Sequence, residues 1–292
     1  MGDFFIFASQ PKLYKMKYSC LFVFFFLATT LTIGQNKERI KGSKNVVEKT
    51  KEVGEFSAVE IEDNLTVFLE KGDKNEIKID ADDNIHDNIT FDLKEKSLRI
   101  YTSKEITNFK KLVLKIKYTS ELHSVVAKNA TVINALETVM LDSVSFKSLD
   151  FSKLYLNVSS KNFSLVADDK SKVELNLKAE KANIQLNKTA QVKALIASTD
   201  ASLDLSEKAT AIIEGDVVNG FIKQNNNSIF TGNNFTIKNA DVTAKGAAIC
   251  NVLADTSLII DADNASKIFV LGKPKIEVRK FLGEAQLIKK AK

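Results

Sequence analysis

The stretch from Leu154 to Leu205 repeats itself, and this restricts the fold more than any other feature of the chain. Leu154, Leu156 and Val158 alternate with Tyr155 and Asn157. Val173, Leu175 and Leu177 alternate with Glu174 and Asn176, and Val192, Ala194 and Ile196 continue the series. These sets begin 19 residues apart. A second alternating run lies in each interval: Phe163 with Leu165, Ile184 with Leu186, and Leu203 with Leu205. Alternation with period two marks a strand with one buried face. Two such strands per repeat, recurring at a fixed interval, predict a coil of strands rather than a set of hairpins. Each strand then pairs with its counterpart one turn away, so the sheets are parallel. One turn cannot bury its own apolar face, so stability comes from stacking neighbours. The expected fold is therefore all-β, a parallel β-helix or β-solenoid. It is expected to be right-handed, as parallel crossovers are.

A solenoid can absorb the whole length as one domain, expected over residues 53–290. With 2 Pro and 0 Trp the composition suits a chain of hydrogen-bonded ladders, because proline would remove a donor. Before the folded part, Lys15 and Lys17 precede an apolar run from Leu21 to Leu31. Thr32 and Gly34 sit at the −3 and −1 positions of a cut before Gln35. Residues 1–34 are read as a secretory signal peptide, and Met16 is the better start, leaving 1–15 as a mis-assigned beginning. The expected location is exported: periplasm, outer surface or secreted. After cleavage Cys250 is the one remaining thiol, so no intrachain disulfide is expected. Without the signal the chain has 39 basic and 36 acidic residues, a formal +3. That mixed balance gives no case for nucleic acid, which needs basic residues clustered on one face.

Residues 35–52 are polar throughout and are read as a flexible leader or a loosely held first strand. From Phe56 to Ile116 short alternating strands follow one another, with turns at Lys71-Gly72-Asp73, Asp82-Asp83-Asn84 and Lys94-Glu95-Lys96. Their closer spacing implies irregular N-terminal turns, partly paired as hairpins. Further on, Asn225-Asn226-Asn227 and Asn233-Asn234 read as corners, and stacked Asn side chains are expected there. Ile276, Val278, Phe281 and Leu287 suggest a last strand pair capping the C-terminal end.

Several segments resemble a known family. Phe56-Ser57-Ala58-Val59-Glu60-Ile61 with Leu65-Thr66-Val67-Phe68-Leu69 is similar to the opening of the auto-transporter adhesin head GIN domain. So are Ile77-Lys78-Ile79-Asp80-Ala81-Asp82-Asp83-Asn84-Ile85 and Leu98-Arg99-Ile100-Tyr101. At the other end, Ala265 to Pro274 and the Gly-containing strand Phe281-Leu282-Gly283-Glu284-Ala285 resemble its closing segment. The resemblance spans residues 54–290 and implies an exported β-solenoid with no assigned activity. Phe269 stands where that family more often has Tyr, and inter-strand glycines are few. No functional residues carry over.

Catalytic groups have to be weighed separately, because β-helices also host polysaccharide-cleaving enzymes. Such enzymes need two carboxyl groups roughly 5–10 Å apart. Asp261 and Asp263 are two apart and would share a strand face at about 7 Å. Asp82 and Asp83, with Asp80 and Asn84, offer oxygen ligands in a short loop. Their spacing lacks the Gly and distal Glu of a calcium loop. His86 and His123 lie in unlike surroundings, so neither a catalytic triad nor a zinc site is expected. No cofactor is expected. The resulting expectation is a non-enzymatic exported binding protein that contacts glycan or protein through its strand faces, with homo-oligomers possible. The alternatives are a carbohydrate-active enzyme using Asp261 and Asp263, and a structural envelope-stress protein.

Overall fold

Backbone pairing in the repeat region is parallel from end to end. The structure is a computed structural model that describes residues 37–291. The strands are β1 (Arg39–Lys41), β2 (Val46–Glu52), β3 (Ala58–Ile61), β4 (Thr66–Lys71), β5 (Glu76–Asp82), β6 (Ile89–Lys94), β7 (Ser97–Thr102), β8 (Glu105–Thr107), β9 (Leu112–Tyr118) and β10 (Ser124–Ala127). They continue as β11 (Val132–Ser148), β12 (Lys153–Ala167), β13 (Lys172–Leu186), β14 (Gln191–Leu205), β15 (Thr210–Gln224), β16 (Ile229–Ala244), β17 (Ile249–Ala262), β18 (Lys267–Leu271), β19 (Lys275–Phe281) and β20 (Gln286–Lys289). A short 3-10 helix spans Asp83–Asn88. Together they form a β-solenoid of about nine turns. From Arg39 onward the described residues form one compact unit.

From β12 to β15 each repeat is one bent strand of 15 residues, where the sequence suggested two. In β12 the inward residues are Leu154, Leu156 and Val158, then Phe163, Leu165 and Ala167. Inward positions change from even to odd numbers, so the strand turns a corner. The ladder omits Lys161, Glu180, Thr199 and Val218 at this corner. Otherwise register is kept at 19 residues: Leu154 pairs with Val173, Val173 with Val192, and Val192 with Ala211. Inward side chains therefore pile into columns. Phe146, Leu165, Ile184, Leu203, Ile222, Val242 and Ile260 form one such column and are all nearly inaccessible. Burying an aliphatic side chain of this kind contributes about 1.5–3 kcal/mol.

The turns between strands are stacked too. Asp169, Lys188, Glu207 and Asn226 occupy equivalent turn positions with φ of 58°, 54°, 59° and 57°. The turn backbone joins the inter-turn ladder: Thr189 N–H donates to the Asp169 carbonyl (2.9 Å) and Lys208 N–H to the Lys188 carbonyl (2.8 Å). Just after this position each turn buries a small residue: Ser152, Ser171, Ala190, Ala209, Ser228, Ala248 and Ser266, all with 0% exposure. A larger side chain has no room inside so tight a bend. Asn226 is the turn residue expected from the Asn225–Asn227 corner. The Asn233-Asn234 pair lies within β16, at a bulge against β15 where the inward positions change from even to odd numbers, so it marks a bend inside a strand and not a loop between strands. Stacked Asn side chains occur elsewhere, along Asp200, Asn219, Asn239 and Ser257, with successive bonds of 2.9, 3.1 and 3.1 Å.

The N-terminal end departs from the coil. β3 and β4 lie between β10–β11 on one side and β7–β9 on the other, all parallel. Beyond them β6 pairs antiparallel with β7, and β5 antiparallel with β9. Of the two readings of residues 35–52, a flexible leader or a loosely held first strand, the described residues 37–52 follow the second, with β1 and β2 built into the fold. β2 pairs antiparallel with β5 from Val46↔Asp82 to Glu52↔Glu76, and β1 pairs with β8. β2 carries Glu48, Lys49, Lys51 and Glu52, charges that protect a sheet edge from further pairing. The C-terminal strand pair is present as β19 and β20. It ends the coil as further parallel rungs on β17 and β18.

The left-handed turn column yields a paired prediction. Glu207→Gly should raise stability by about 0.5–1 kcal/mol, because glycine carries no Cβ penalty at positive φ. Gly246→Ala should destabilise by more than about 1 kcal/mol. Gly246 has φ +73°, and a Cβ there would lie 2.8 Å from the Asn226 Cα of the turn beneath. Urea denaturation followed by circular dichroism measures both.

Candidate functional site

The outward residues of β12 to β15 stand in columns as regular as the inward ones. Tyr155, Glu174, Lys193 and Ile212 form one column. Asn157, Asn176, Leu195 and Glu214 form the next. Between them lies a shallow groove of about 560 Å³, floored by the backbone of Leu156, Leu175 and Ala194. Columns two residues apart are separated by about 7 Å, and three rung-to-rung steps span about 14 Å. The groove therefore runs along the coil axis. Both its ends coincide with breaks in register. On β11 the ladder jumps between Ala135 and Val139, and on β16 it shifts opposite Ile212 and Glu214. The regular rungs between these breaks define the site. Its walls combine one aromatic residue, both signs of charge, two amides and two exposed aliphatics, with Leu195 51% and Ile212 40% accessible. Such a surface offers stacking, hydrogen-bonding and apolar contact at fixed spacing, but no nucleophile held by a base.

The sequence-derived candidates lie elsewhere. Asp82 is fully buried and serves the fold. Its carboxylate accepts the backbone N–H groups of Lys44 (2.8 Å), Lys110 (3.1 Å) and Lys111 (3.0 Å). Burial pushes this carboxyl up, but the three amides outweigh it and the net shift is downward. Asp83 accepts from Ser43 Oγ (2.5 Å) and Asn45 Nδ2 (2.8 Å), and Asn84 Oδ1 accepts from Ser43 N–H (2.9 Å). The Asp-Asp-Asn triplet thus fastens residues 41–45 onto the coil. Among the described residues no group of three His, Cys, Asp or Glu is arranged to hold a metal ion.

Asp261 lies within β17, and Asp263 lies just beyond its end at Ala262, where the following turn begins. Asp263 pairs with Lys280 Nζ (2.7 Å) and accepts the Asn264 N–H (2.8 Å). The Lys280 bond holds its carboxyl below the usual range. Neither aspartate lines the groove. His86 is buried, with Nε2 3.0 Å from the Val47 carbonyl, whereas His123 is exposed just before β10. Cys250 is wholly inaccessible, and burial pushes its thiol up, so it is a packing residue.

A second charged cluster sits near the N-terminal end. Arg99 Nη2 lies 2.8 Å from Glu62 Oε2, and Lys128 Nζ lies 2.7 Å from Glu60 and 3.4 Å from Glu62. The Arg99 bond, against an opposing effect of burial, lowers the Glu62 carboxyl to about 2. These groups bind one another across three rungs. They act as a lock between strands, not as an open site. A carboxyl with a lowered folded pKa stabilises the protein above its unfolded value of 4.5 and loses that contribution as pH falls towards 2. Arg99→Gln should therefore lower stability at neutral pH and flatten its acid dependence between those values. Denaturation midpoints measured at pH 7, 4 and 3 test this. Asp82→Ala should speed hydrogen exchange at the Lys44, Lys110 and Lys111 amides while leaving the β13–β15 amides protected.

Sequence reasoning missed the groove because its lining residues are unlike one another. The 19-residue offset that superposes Tyr155, Glu174, Lys193 and Ile212 is the one signal that could have revealed it.

A sequence profile described as "Putative auto-transporter adhesin, head GIN domain" matches residues 55–274. No curated protein matches the chain. Several solved structures share the fold. One, of a "putative adhesin" from Parabacteroides merdae, has a TM-score of 0.61 at 14% identity, covering 87% of this chain and 99% of that one. A "putative adhesin" from Parabacteroides distasonis has a TM-score of 0.62 at 15% identity, with 87% and 100% coverage. A "putative lipid binding protein" from the same species has a TM-score of 0.62 at 13% identity, with the same coverage. At these identities the likeness concerns fold alone. The profile match covers most of the chain, and it shows that this protein belongs to the auto-transporter adhesin head GIN domain family.

Proposed function

We propose that this protein is an exported, non-enzymatic adhesion module that holds an extended glycan or protein partner along the groove of β12 to β15. Family membership supports an adhesive role. The N-terminal segment that suggests export lies outside the described residues. The observation that carries the proposal is the groove itself: two outward columns in unbroken register, bounded at each end by a bulge. A partner with a repeating backbone can meet equivalent positions at every rung. Contact to a rigid sheet costs little conformational entropy on the protein side, so modest individual contacts add up. The Asp261–Asp263 enzyme reading draws no support from the geometry, since Asp263 is engaged by Lys280.

The test is a glycan array together with a pull-down from envelope extracts, using the intact chain and the Lys193→Glu/Leu195→Asp variant. Both side chains point outward, so the variant should fold normally. Ligands retained by the intact chain should bind at least tenfold more weakly to the variant. Equal binding by the two proteins would remove the groove from the reading. Asp261→Asn should leave binding unchanged, and a broad polysaccharide panel should show no turnover. Turnover that disappears in Asp261→Asn would establish the enzyme instead.

A further inference from the structure

The exposed aliphatic side chains of the groove alternate between its two walls. Leu195 pairs with Glu214, and Lys193 with Ile212. Leu195 therefore stands in the Asn157 column on β14, and Ile212 in the Tyr155 column on β15. They line the groove from opposite sides, one rung apart and about 8 Å from each other. A charged side chain stands across the groove from each: Lys193 opposite Leu195, and Glu214 opposite Ile212. The apolar contact thus changes sides from one rung to the next, and the charged one changes with it. Nearer the other end of the groove, Tyr155 and Asn157 share one rung, and Glu174 and Asn176 share the next.

We infer that the groove binds a neutral, unbranched, β-linked chain of N-acetylated amino sugars, with one ring on each rung from β12 to β15. This rests on the groove reading above and names its ligand. Rung spacing separates the two kinds of polymer. An extended β-linked glycan advances about 5 Å per ring, close to the rung spacing of about 4.8 Å. Side chains on one face of an extended peptide recur about every 6.8 Å and leave register after one rung. Such a peptide gains no backbone ladder either, because β12 to β15 are each paired on both edges. Consecutive rings of the glycan are turned over, so their acetamido groups project to alternate sides. Two consecutive acetamido methyls then reach Leu195 on one wall and Ile212 on the other. The hydroxymethyl edge of each ring meets the charged residue across the groove, accepting from Lys193 or donating to Glu214. Tyr155 offers a platform for the apolar face of a ring, and the Asn157 and Asn176 amides suit its hydroxyl and amide groups. A glycan bearing hydroxyls alone would press polar edges onto Leu195 and Ile212 without partners. The lining sets two carboxylates, Glu174 and Glu214, against one ammonium, Lys193, and so disfavours an acidic chain.

Calorimetric titration of the full chain with fully N-acetylated chitotetraose and with cellotetraose is the test, because the two sugars differ only in the acetamido group. Saturable binding of chitotetraose is expected, with cellotetraose at least tenfold weaker, the worth of two buried methyl groups. Leu195→Ser/Ile212→Ser should reduce chitotetraose binding to the level of cellotetraose. Circular dichroism should show that this variant folds, since both positions are exposed. Absence of chitotetraose binding overturns the inference, as does equal affinity for the two sugars or a preference for chitotetraose that survives in the double variant. The groove reading fails separately, when array or pull-down ligands bind Lys193→Glu/Leu195→Asp as tightly as the intact chain. A ligand lost in that variant, with no chitotetraose bound by the intact chain, leaves the groove in place and removes this inference alone.

Discussion

Everything in this structure depends on a parallel backbone ladder that stacks each turn on the one before, with an advance of 19 residues from β12 to β15. Once Leu154 is bonded to Val173 and Val173 to Val192, every other position is placed above its counterpart. Aliphatic columns follow, and so do the buried small residues, the left-handed turn positions and the Asp200–Asn219–Asn239–Ser257 chain. Each column serves a different physical purpose. The aliphatic ones supply burial, the small ones permit the bend, and the amide chain satisfies polar groups that the corner would otherwise strand. Opposite charges recur one rung apart, as in Lys223–Asp204 at 2.9 Å and Lys188–Asp169 at 2.6 Å. Exposed pairs of this kind contribute about 0–1 kcal/mol each, so they tune register rather than create it.

The same ladder creates a problem at its ends, since a coil always has two edges to finish. At the N-terminal end the chain reverses strand direction and lays down β5, β6 and β2, the last of them charged. Asp82 and Asp83 hold this closure by bonding backbone and side chains of residues 43–45. At the C-terminal end strand direction does not change, and apolar side chains remain half-exposed along β19.

How much of this the sequence revealed differs by element. The coil was legible because inward positions from Leu154 to Leu205 are almost uniformly aliphatic. The single bent strand was not, because the change from even to odd inward positions near Lys161 and Glu180 looks like a break between two strands. Residues 35–52 gave no apolar period because β2 buries almost nothing, and the residues that fix it lie some forty positions away. Asp261 and Asp263 looked paired because period two assumes a continuing strand, whereas the backbone turns after Ala262. The groove was invisible for a related reason: selection of unlike residues at Tyr155, Glu174, Lys193 and Ile212 leaves no repeat to detect. Inward columns are constrained by packing and so repeat, whereas outward columns are free to vary and become readable only once register is known.

The most direct test of the parallel 19-residue coil is to remove one whole rung. Deleting residues 172–190 joins Ser171 to Gln191, which occupies the position of Lys172 one turn later. Every column stays continuous across the junction. Far-ultraviolet circular dichroism of this chain should retain the strand spectrum and a single cooperative thermal transition. A chain lacking only residues 172–181, about half a rung, should lose both. If the whole-rung deletion unfolds, or the half-rung deletion melts as cooperatively as the parent, the stacked-column account is wrong.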